Sequence, residues 1–405
     1  MPDIRLLTED DLDELQALLE YTFRWAHDQR NRTRLEHLVR HVRAHGLFEG
    51  GELASQIMAL PFTSGFHGVK LPAAGVGFVG TYPEYRGRGF ARDLMARIIE
   101  EEHERGTLLS YLAPFSYPFY RRFGYEHVFN QYAFRIKVGG WPDGVRVPGR
   151  VARLGWGEAR PFVERVYAAG EPERPCGLVR EAWWEEYKFH LRRDYDFAVY
   201  LDEDGAPQGY LAYQLNGTSL DIFELEWLTA NAFQALSRYI RSHEAGFSLT
   251  WTCLDPGALE RMPLPADPEP MAFTVRPYMM ARIIDLEALL LAYPFEGEGD
   301  FTLGLQVDDD EFAPWNGGCY TLRRTAGTVS VERQDACGTL TAMGAPVPVI
   351  HASIQRLAQL LLGSHDLPQL LASGGLAVSG VPAARATAQL GRIIPTGRPA
   401  MEDYF

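Results

Sequence analysis

Long apolar runs are missing from this sequence, and no stretch has the length and hydrophobicity of a membrane span. The opening residues, Met1-Pro2-Asp3-Ile4-Arg5, lack a basic region followed by an apolar run. No signal peptide is therefore expected, and the expected location is cytoplasmic. Cysteine is scarce: Cys176, Cys253, Cys319 and Cys337 stand far apart, with no C-x-x-C pair. Those spacings exclude the common zinc motifs and a disulfide framework, so buried free thiols and no metal are expected. Positive charge is in deficit, with 39 Lys and Arg against 53 Asp and Glu and a formal charge of -14. Phosphate backbones are bound by basic surfaces, so nucleic acid is disfavoured as a partner. The acidic balance suits a cationic ligand, since an acidic cleft concentrates amines, and it equally serves solubility.

What remains is a soluble globular composition, 46% hydrophobic and 23% charged, over 405 residues. That length exceeds one ordinary core and points to two or three domains. The first, residues 1–145, opens with a strand at 4–7 and a helix in which Thr8 is the N-cap and Leu12, Leu15, Leu18 and Leu19 share a face. Residues 46–60 read as a hairpin around Gly50-Gly51. Residues 75–81 read as a strand entering a glycine-rich turn, and Phe90, Leu94, Met95, Ile98 and Ile99 mark one face of the next helix. A short strand at 108–112 and a helical turn from Tyr117 follow, an order that gives a mixed α/β layer.

The Gly- and Pro-rich stretch 139–149 is the best linker candidate. Residues 146–290 repeat the element order of the first domain without repeating its residues. At the equivalent strand-to-helix junction the chain reads Leu225-Glu226-Trp227-Leu228-Thr229-Ala230-Asn231-Ala232, with no glycine. A turn that aims several N–H groups at a phosphate needs glycine, so this unit is expected to keep the architecture and lack the anion site. The third section, 291–405, has strands near 299–307 and 318–324 and helical runs at 353–362 and 367–373.

The informative string is Val79-Gly80-Thr81-Tyr82-Pro83-Glu84-Tyr85-Arg86-Gly87-Arg88-Gly89-Phe90-Ala91. A strand, a glycine turn and an amphipathic helix let consecutive backbone N–H groups and a helix N-terminus converge on an anion. The string is not a P-loop, which requires G-x-x-x-x-G-K-[ST]. Nor is it the dinucleotide fingerprint, because Arg92 stands where a third glycine belongs. It resembles the R/Q-x-x-G-x-G/A signature of the GNAT acetyltransferases. That resemblance implies acetyl-CoA as cosubstrate, with Val79, Gly80 and Thr81 along the pantetheine arm. Gly87, Arg88, Gly89, Phe90, Ala91 and Arg92 would wrap the pyrophosphate, and Phe115 and Ser116 match further cofactor contacts by position. It also implies the Val79 N–H as oxyanion donor.

The whole chain, in order, resembles the Eis (enhanced intracellular survival) family. The matching features are two GNAT-like units, then Pro314-Trp315-Asn316-Gly317-Gly318, residues 370–375 and the Asp403-Tyr404-Phe405 ending. The fold class so implied is α/β (α+β), with tandem GNAT-like domains followed by a sterol-carrier-protein-like domain. The family acts on aminoglycoside- and lysine-like amines and is hexameric, which implies a small cationic amine substrate and a homohexamer.

Acetyl transfer to an amine needs a base for the ammonium, stabilisation of the thioester oxygen and an acid for the thiolate. A phenol, titrating at about 10, is well matched to a thiol at about 8.5. Tyr117, Tyr120 and Tyr125 all qualify by spacing. The family pattern Y-x-R-F-G-Y places the acid on its first tyrosine, Tyr120. No histidine of the first 140 residues has supporting context as a base. The resemblance implies the terminal carboxylate of Phe405 instead, returned to the first domain. A terminal carboxylate titrates at about 3.5, and burial beside an aromatic wall raises it. Glu402 and Asp403 would add negative potential for an incoming ammonium. Alternatives are an apolar-ligand carrier with a GNAT scaffold and a protein or peptide N-acetyltransferase, whose acceptor choice would lie in loops such as 24–34.

Overall fold

The computed structural model describes residues 3–170, 174–253, 271–334, 340–342 and 344–405. The chain forms two compact units. One comprises Met1–Phe129, Tyr278–Pro399 and Phe405; the other comprises Asn130–Pro277 and Ala400–Tyr404. The last residue of the chain thus belongs to a different unit from the five before it.

The first unit begins with β1 (Asp3–Leu6), α1 (Leu12–Phe23), α2 (Gln29–His41), β2 (Arg43–Glu49), β3 (Glu52–Phe66) and β4 (Val69–Thr81). Then come α3 (Phe90–Glu104), β5 (Leu109–Leu112) and α4 (Tyr117–Arg121). Strands β1 to β4 pair antiparallel in sequence order, whereas β4 and β5 are parallel and joined through α3. The expected faces are buried: Leu12, Leu15, Leu18 and Leu19 on α1, and Phe90, Leu94, Met95, Ile98 and Ile99 on α3. Each such side chain contributes about 1.5–3 kcal/mol by leaving water. Residues 29–34 are not a loop, as expected above, but the start of α2. Asp28 caps that helix by accepting from the Asn31 N–H at 2.8 Å, and Leu35 and Leu38 bury its inner face. Its polar composition hid it from a search for apolar periodicity.

The third section packs within the same unit as a five-stranded sheet ordered 328–334, 318–325, 301–307, 349–352 and 376–379. The Pro314–Gly318 string is a wedge. Trp315 donates to the Ile284 carbonyl at 2.7 Å and stacks on His103, and fully buried Asn316 accepts from the Leu286 N–H at 2.9 Å. Arg282, also fully buried, pairs with Asp310 at 2.8 Å and donates to the Phe123 carbonyl. Gly124, at φ +75, has no room for a Cβ beside that guanidinium.

In the second unit β6 (Glu126–Lys137) continues into β7 (Arg150–Leu154), α5 (Trp156–Gly170), β8 (Leu178–Val179) and α6 (Ala182–Glu186). A π turn at Tyr187–Leu191 precedes β9 (Asp196–Leu201), β10 (Pro207–Asn216), β11 (Ser219–Trp227), α7 (Ala230–Arg241) and β12 (Ser248–Cys253). Strands β11 and β12 are parallel and joined through α7, repeating the β4-α3-β5 arrangement. The Gly- and Pro-rich stretch 139–149 is packed rather than loose: Trp141 is buried in this unit's core, and a Cβ on Gly144 would collide with backbone of α7. Cys176 and Cys253 are buried and free, whereas Cys319 is disulfide-bonded, against the expectation of free thiols. Hairpin register, which sets Cys319 opposite Gln334, is not readable from cysteine spacing. Cys337 lies outside the described residues.

Candidate active site

The site begins where a sheet comes apart. Pairing of β4 with β5 runs from Ala73↔Leu109 to Val76↔Leu112, and β4 then continues to Thr81 without that partner. On its other side β4 loses register with β3 between Gln56 and Met58. Phe78 is forced to φ +54, the left-handed region that bulky side chains avoid. The irregularity is held by side chains that motif reading missed. Gln56 donates from Nε2 to the Phe78 carbonyl at 2.9 Å, and Ser55 Oγ donates to the Gly80 carbonyl at 2.9 Å. Fixed strain of this kind, at a bulge, is a recurrent feature of reactive sites. Phe23 and Trp25 stand edge-on to Phe78 at 6.1 and 5.9 Å between ring centroids, giving an aromatic wall.

After β4 the chain turns through Pro83–Tyr85 and enters α3. Gly87 and Gly89 sit at φ +78 and +87, and a Cβ on Gly87 would point into open space. Gly89 is the N-cap, and no side chain caps α3. The equivalent end of α7 is different: Thr229 accepts the Ala232 N–H at 3.2 Å, so part of that helix end is already satisfied by its own chain. The two junctions therefore differ in available N–H groups as well as in glycine content. Arg88 pairs with Glu49 at 2.6 Å and Arg92 with Asp93 at 2.8 Å. Both are exposed ion pairs worth up to about 1 kcal/mol, so their rearrangement toward an anion is cheap.

Beyond β5, Ser116 caps α4, its Oγ accepting the Phe119 N–H at 3.4 Å. Phe115 beside it is largely exposed. Tyr120 is buried in the core cluster with Val76 and Leu112 and is ringed by Phe115, Phe119 and Tyr125. The three candidate tyrosines separate by environment. Tyr125 is fully buried, bonds to Ser110 Oγ at 2.7 Å, and is pushed by burial to about 12, far from a thiol. Tyr117 is half-buried against the ring of His127.

Phe405 is buried, its ring tilted against that of Phe62 with centroids 5.0 Å apart. Its ring lies over Gly75, and its terminal carboxylate lies against Gly77, where a Cβ would be 3.3 Å from the carboxylate carbon. Alternation along β4 then fixes the geometry. Val76 faces the core that holds Tyr120, while Gly75 and Gly77 face Phe405. The Phe405 carboxylate thus lies on one face of β4, just before the bulge, and Val76, which shares a core cluster with Tyr120, points to the other. Asp403 does not offer free negative potential as expected. It is wholly buried, bonded to Arg180, Lys188 and the Trp184 N–H.

A splayed parallel strand pair, a glycine turn on a helix N-terminus and a buried tyrosine beside the splay define an acyltransferase of the GNAT class. The acetyltransferase (GNAT) domain profile matches residues 3–128, and a second acetyltransferase (GNAT) profile matches 176–283. A sterol carrier protein domain profile matches 286–402. A solved protein of Enterococcus faecalis, described as a conserved protein of unknown function and probable N-acyltransferase, is 33% identical over the whole of both chains, with a TM-score of 0.89. N-acetyltransferase Eis of Mycobacterium tuberculosis is 25% identical over 76% of this chain and 75% of its own. Eis1 of Mycobacterium abscessus, at 19% identity over the whole of both chains and a TM-score of 0.77, shares the fold. The chain belongs to the Eis-like family of GNAT N-acetyltransferases, enzymes that use acetyl-CoA as cosubstrate, with tandem GNAT domains and a sterol-carrier-like domain.

Proposed function

We propose that the first GNAT domain transfers acetyl from acetyl-CoA to the primary amine of a cationic small molecule. Tyr120 is the general acid and the Phe405 carboxylate the general base. The carrying observation is the Phe405 carboxylate against Gly77 of β4, on the face opposite the Val76 and Tyr120 core cluster, where the pairing of β4 with β5 ends. The amine nitrogen attacks the thioester carbon, forming the amide bond as the C–S bond breaks. The ammonium proton leaves to the Phe405 carboxylate, and the departing thiolate takes a proton from Tyr120. The splay leaves backbone at Val79, Gly80 and Thr81 without a β5 partner, fitting the pantetheine arm and an oxyanion contact from the Val79 N–H.

The positive-φ glycines at 87 and 89 and the open space at Gly87 fit a diphosphate wrapped by Gly87, Arg88, Gly89, Phe90, Ala91 and Arg92. Phe115, exposed beside Tyr120, and Ser116 complete the proposed cofactor wall. The net charge of -14 and the Phe23–Trp25–Phe78 wall favour an aminoglycoside- or lysine-like acceptor. The homohexamer rests on the resemblance alone, and a solution mass measurement tests it.

The test is acetyl-CoA turnover over a panel of amines, with Tyr120→Phe and a chain lacking Phe405. Each change is expected to lower kcat about 10²–10⁴-fold; undiminished rates in both sink the mechanism. A second reading, a carrier of apolar ligands, has one observation in its favour. A cavity of about 420 Å³ in the third section is lined by Leu360, Leu367, Leu390 and Ile394 together with polar His365, Asp366, Gln369 and Arg398. Lipid extracted from the purified protein would support it.

A further inference from the structure

Chain ends fray by default, because nothing offsets the entropy of ordering them. This one does not. Met401, Asp403 and Phe405 are buried while Tyr404 is exposed, the alternation of an extended segment lying on a surface. Inside the second unit the tail is gripped at successive backbone positions. The Ala400 N–H donates to the Pro175 carbonyl at 2.8 Å, Lys188 Nζ donates to the Glu402 carbonyl at 3.2 Å, and Arg192 donates to the Tyr404 carbonyl at 2.5 Å.

At the centre lies a buried network in which Arg180 and Lys188 face Glu224 and Asp403, with the Glu402 carboxyl 3.8 Å from Arg180. Arg180 donates to both Asp403 oxygens at 3.1 and 3.2 Å and to Glu224 at 2.6 Å. Lys188, on the π turn, bonds both Glu224 and Asp403. Tyr210 donates to Glu224 at 2.7 Å, and the Arg180 guanidinium lies 3.7 Å from the Tyr167 ring centroid. Although burial opposes ionisation, Arg180 and Lys188 hold the Asp403 carboxyl well below its ordinary range. A buried ion network gives little net stability over an apolar one of the same volume. What it gives is a unique register, and π turns are frequent at functional positions.

We infer that Arg180, Lys188, Glu224 and Asp403 are positioning residues that set where the terminal carboxylate ends. The buried network thus acts as a ruler for the register of the C-terminal tail. The inference rests on the proposed role of the Phe405 carboxylate. Two residues separate Asp403 from the chain end, and a slip of one residue moves the carboxylate by about 3.3 Å and reverses side-chain faces. Displacements of about 1 Å already cost about 10²-fold in rate.

Inserting one glycine between Asp403 and Tyr404 tests this with every buried charge still paired. The expected result is a loss of kcat of at least about 10²-fold, matching removal of Phe405, with KM for acetyl-CoA unchanged and the melting temperature no lower than that of the chain lacking Phe405. Retention of kcat within about twofold, while removal of Phe405 abolishes it, means that Phe405 packing sets the position and overturns the ruler alone. Full kcat without Phe405 overturns the base reading and the ruler with it. Asp403→Asn is the companion. It is expected to lower kcat about 10–100-fold in the full chain and less than about twofold in the chain already lacking Phe405, the non-additivity of groups acting as one unit. A purely structural role predicts the same loss in both backgrounds.

Discussion

The sharpest test of the site geometry is a single methyl group on β4. Gly77 has no special backbone requirement, since its φ is not positive. In Gly77→Ala the new Cβ would lie 3.3 Å from the Phe405 carboxylate carbon, 3.5 Å from Leu60 Cδ1 and 3.8 Å from a carboxylate oxygen. A contact of 3.3 Å is tighter than most real Cβ contacts, so the backbone stays and the carboxylate yields by a few tenths of an ångström, about 0.3 Å. If about 1 Å of misplacement costs about 10²-fold, then 0.3 Å costs about 0.8 kcal/mol, or about fourfold in kcat. Gly75→Ala is harsher. Its Cβ would lie 2.5 Å from the Phe62 ring and 2.8 Å from the Phe405 ring. Both rings must move by about 1 Å, which predicts about 10²-fold in kcat and about 1–3 kcal/mol of overpacking. The assay is thiol release from saturating acetyl-CoA with a primary amine, beside urea unfolding of each variant. The reasoning fails if Gly75→Ala shifts the urea midpoint yet keeps kcat. It fails equally if either change acts on KM for acetyl-CoA alone.

Gly87→Ala places a side chain at φ +78 in open space. It is expected to destabilise by about 1–2 kcal/mol and to raise KM for acetyl-CoA while kcat at saturation persists, as initial-rate kinetics will read. Tyr125→Phe deletes the hydroxyl bonded to Ser110 and is expected to cost about 1 kcal/mol of stability with kcat retained, in contrast to Tyr120→Phe. Glu185 is almost wholly buried on α6. Burial, opposed by Arg180 and reinforced by a hydrogen bond with Glu164, pushes its carboxyl from an ordinary 4.5 up to about 8. The folded state then holds a proton that the unfolded chain releases between pH 4.5 and about 8. Stability from this group is complete below pH 4.5 and falls through that window by up to about 1.4 kcal/mol per pH unit. The difference between urea midpoints at pH 5 and pH 8 should be smaller in Glu185→Gln than in the native chain; equal divergence in both refutes the assignment.

Local chemistry was legible in the sequence where local rules govern. The α3 face, the strand before it and the two glycines announce themselves because a turn at positive φ beside an amphipathic helix leaves a pattern within twenty residues. The α2 helix did not, because its burial rests on few apolar residues and a cap by Asp28. Among Tyr117, Tyr120 and Tyr125, spacing had no means to choose. Ser110, from another strand, engages Tyr125, and only folding brings the two together. The network around Asp403 was invisible for the same reason: Arg180, Glu224 and Asp403 are far apart in sequence, and each alone reads as surface charge. Gly75 and Gly77 were in view but silent. Glycines alternating inside a strand mark a close approach by something, and only the structure supplies the Phe405 end as that something.

The two GNAT-like units share one architecture and differ at the same strand-to-helix junction in few residues. Both join parallel strands through a helix, α3 in one and α7 in the other. At α3 the cap is Gly89, whose missing side chain leaves the helix N-terminus to an external anion. At α7 the cap is Thr229, which satisfies the Ala232 N–H internally. A threonine cap stabilises a helix by about 1 kcal/mol, so the second unit is free to favour its own stability where the first must leave donors open. The second unit also carries a buried ion network whose anions include a residue two places from the chain end. Exchanging the two caps separates these roles. Gly89→Thr is expected to weaken acetyl-CoA binding, because a side chain is strained at φ +87 and crowds the Arg92 guanidinium. Thr229→Gly is expected to cost only a few tenths of a kcal/mol of stability and to leave kcat and KM for acetyl-CoA unchanged. A large activity loss in Thr229→Gly would mean that the α7 N-terminus takes part in the reaction, and the proposed placing of the cofactor turn in the first domain alone would be wrong.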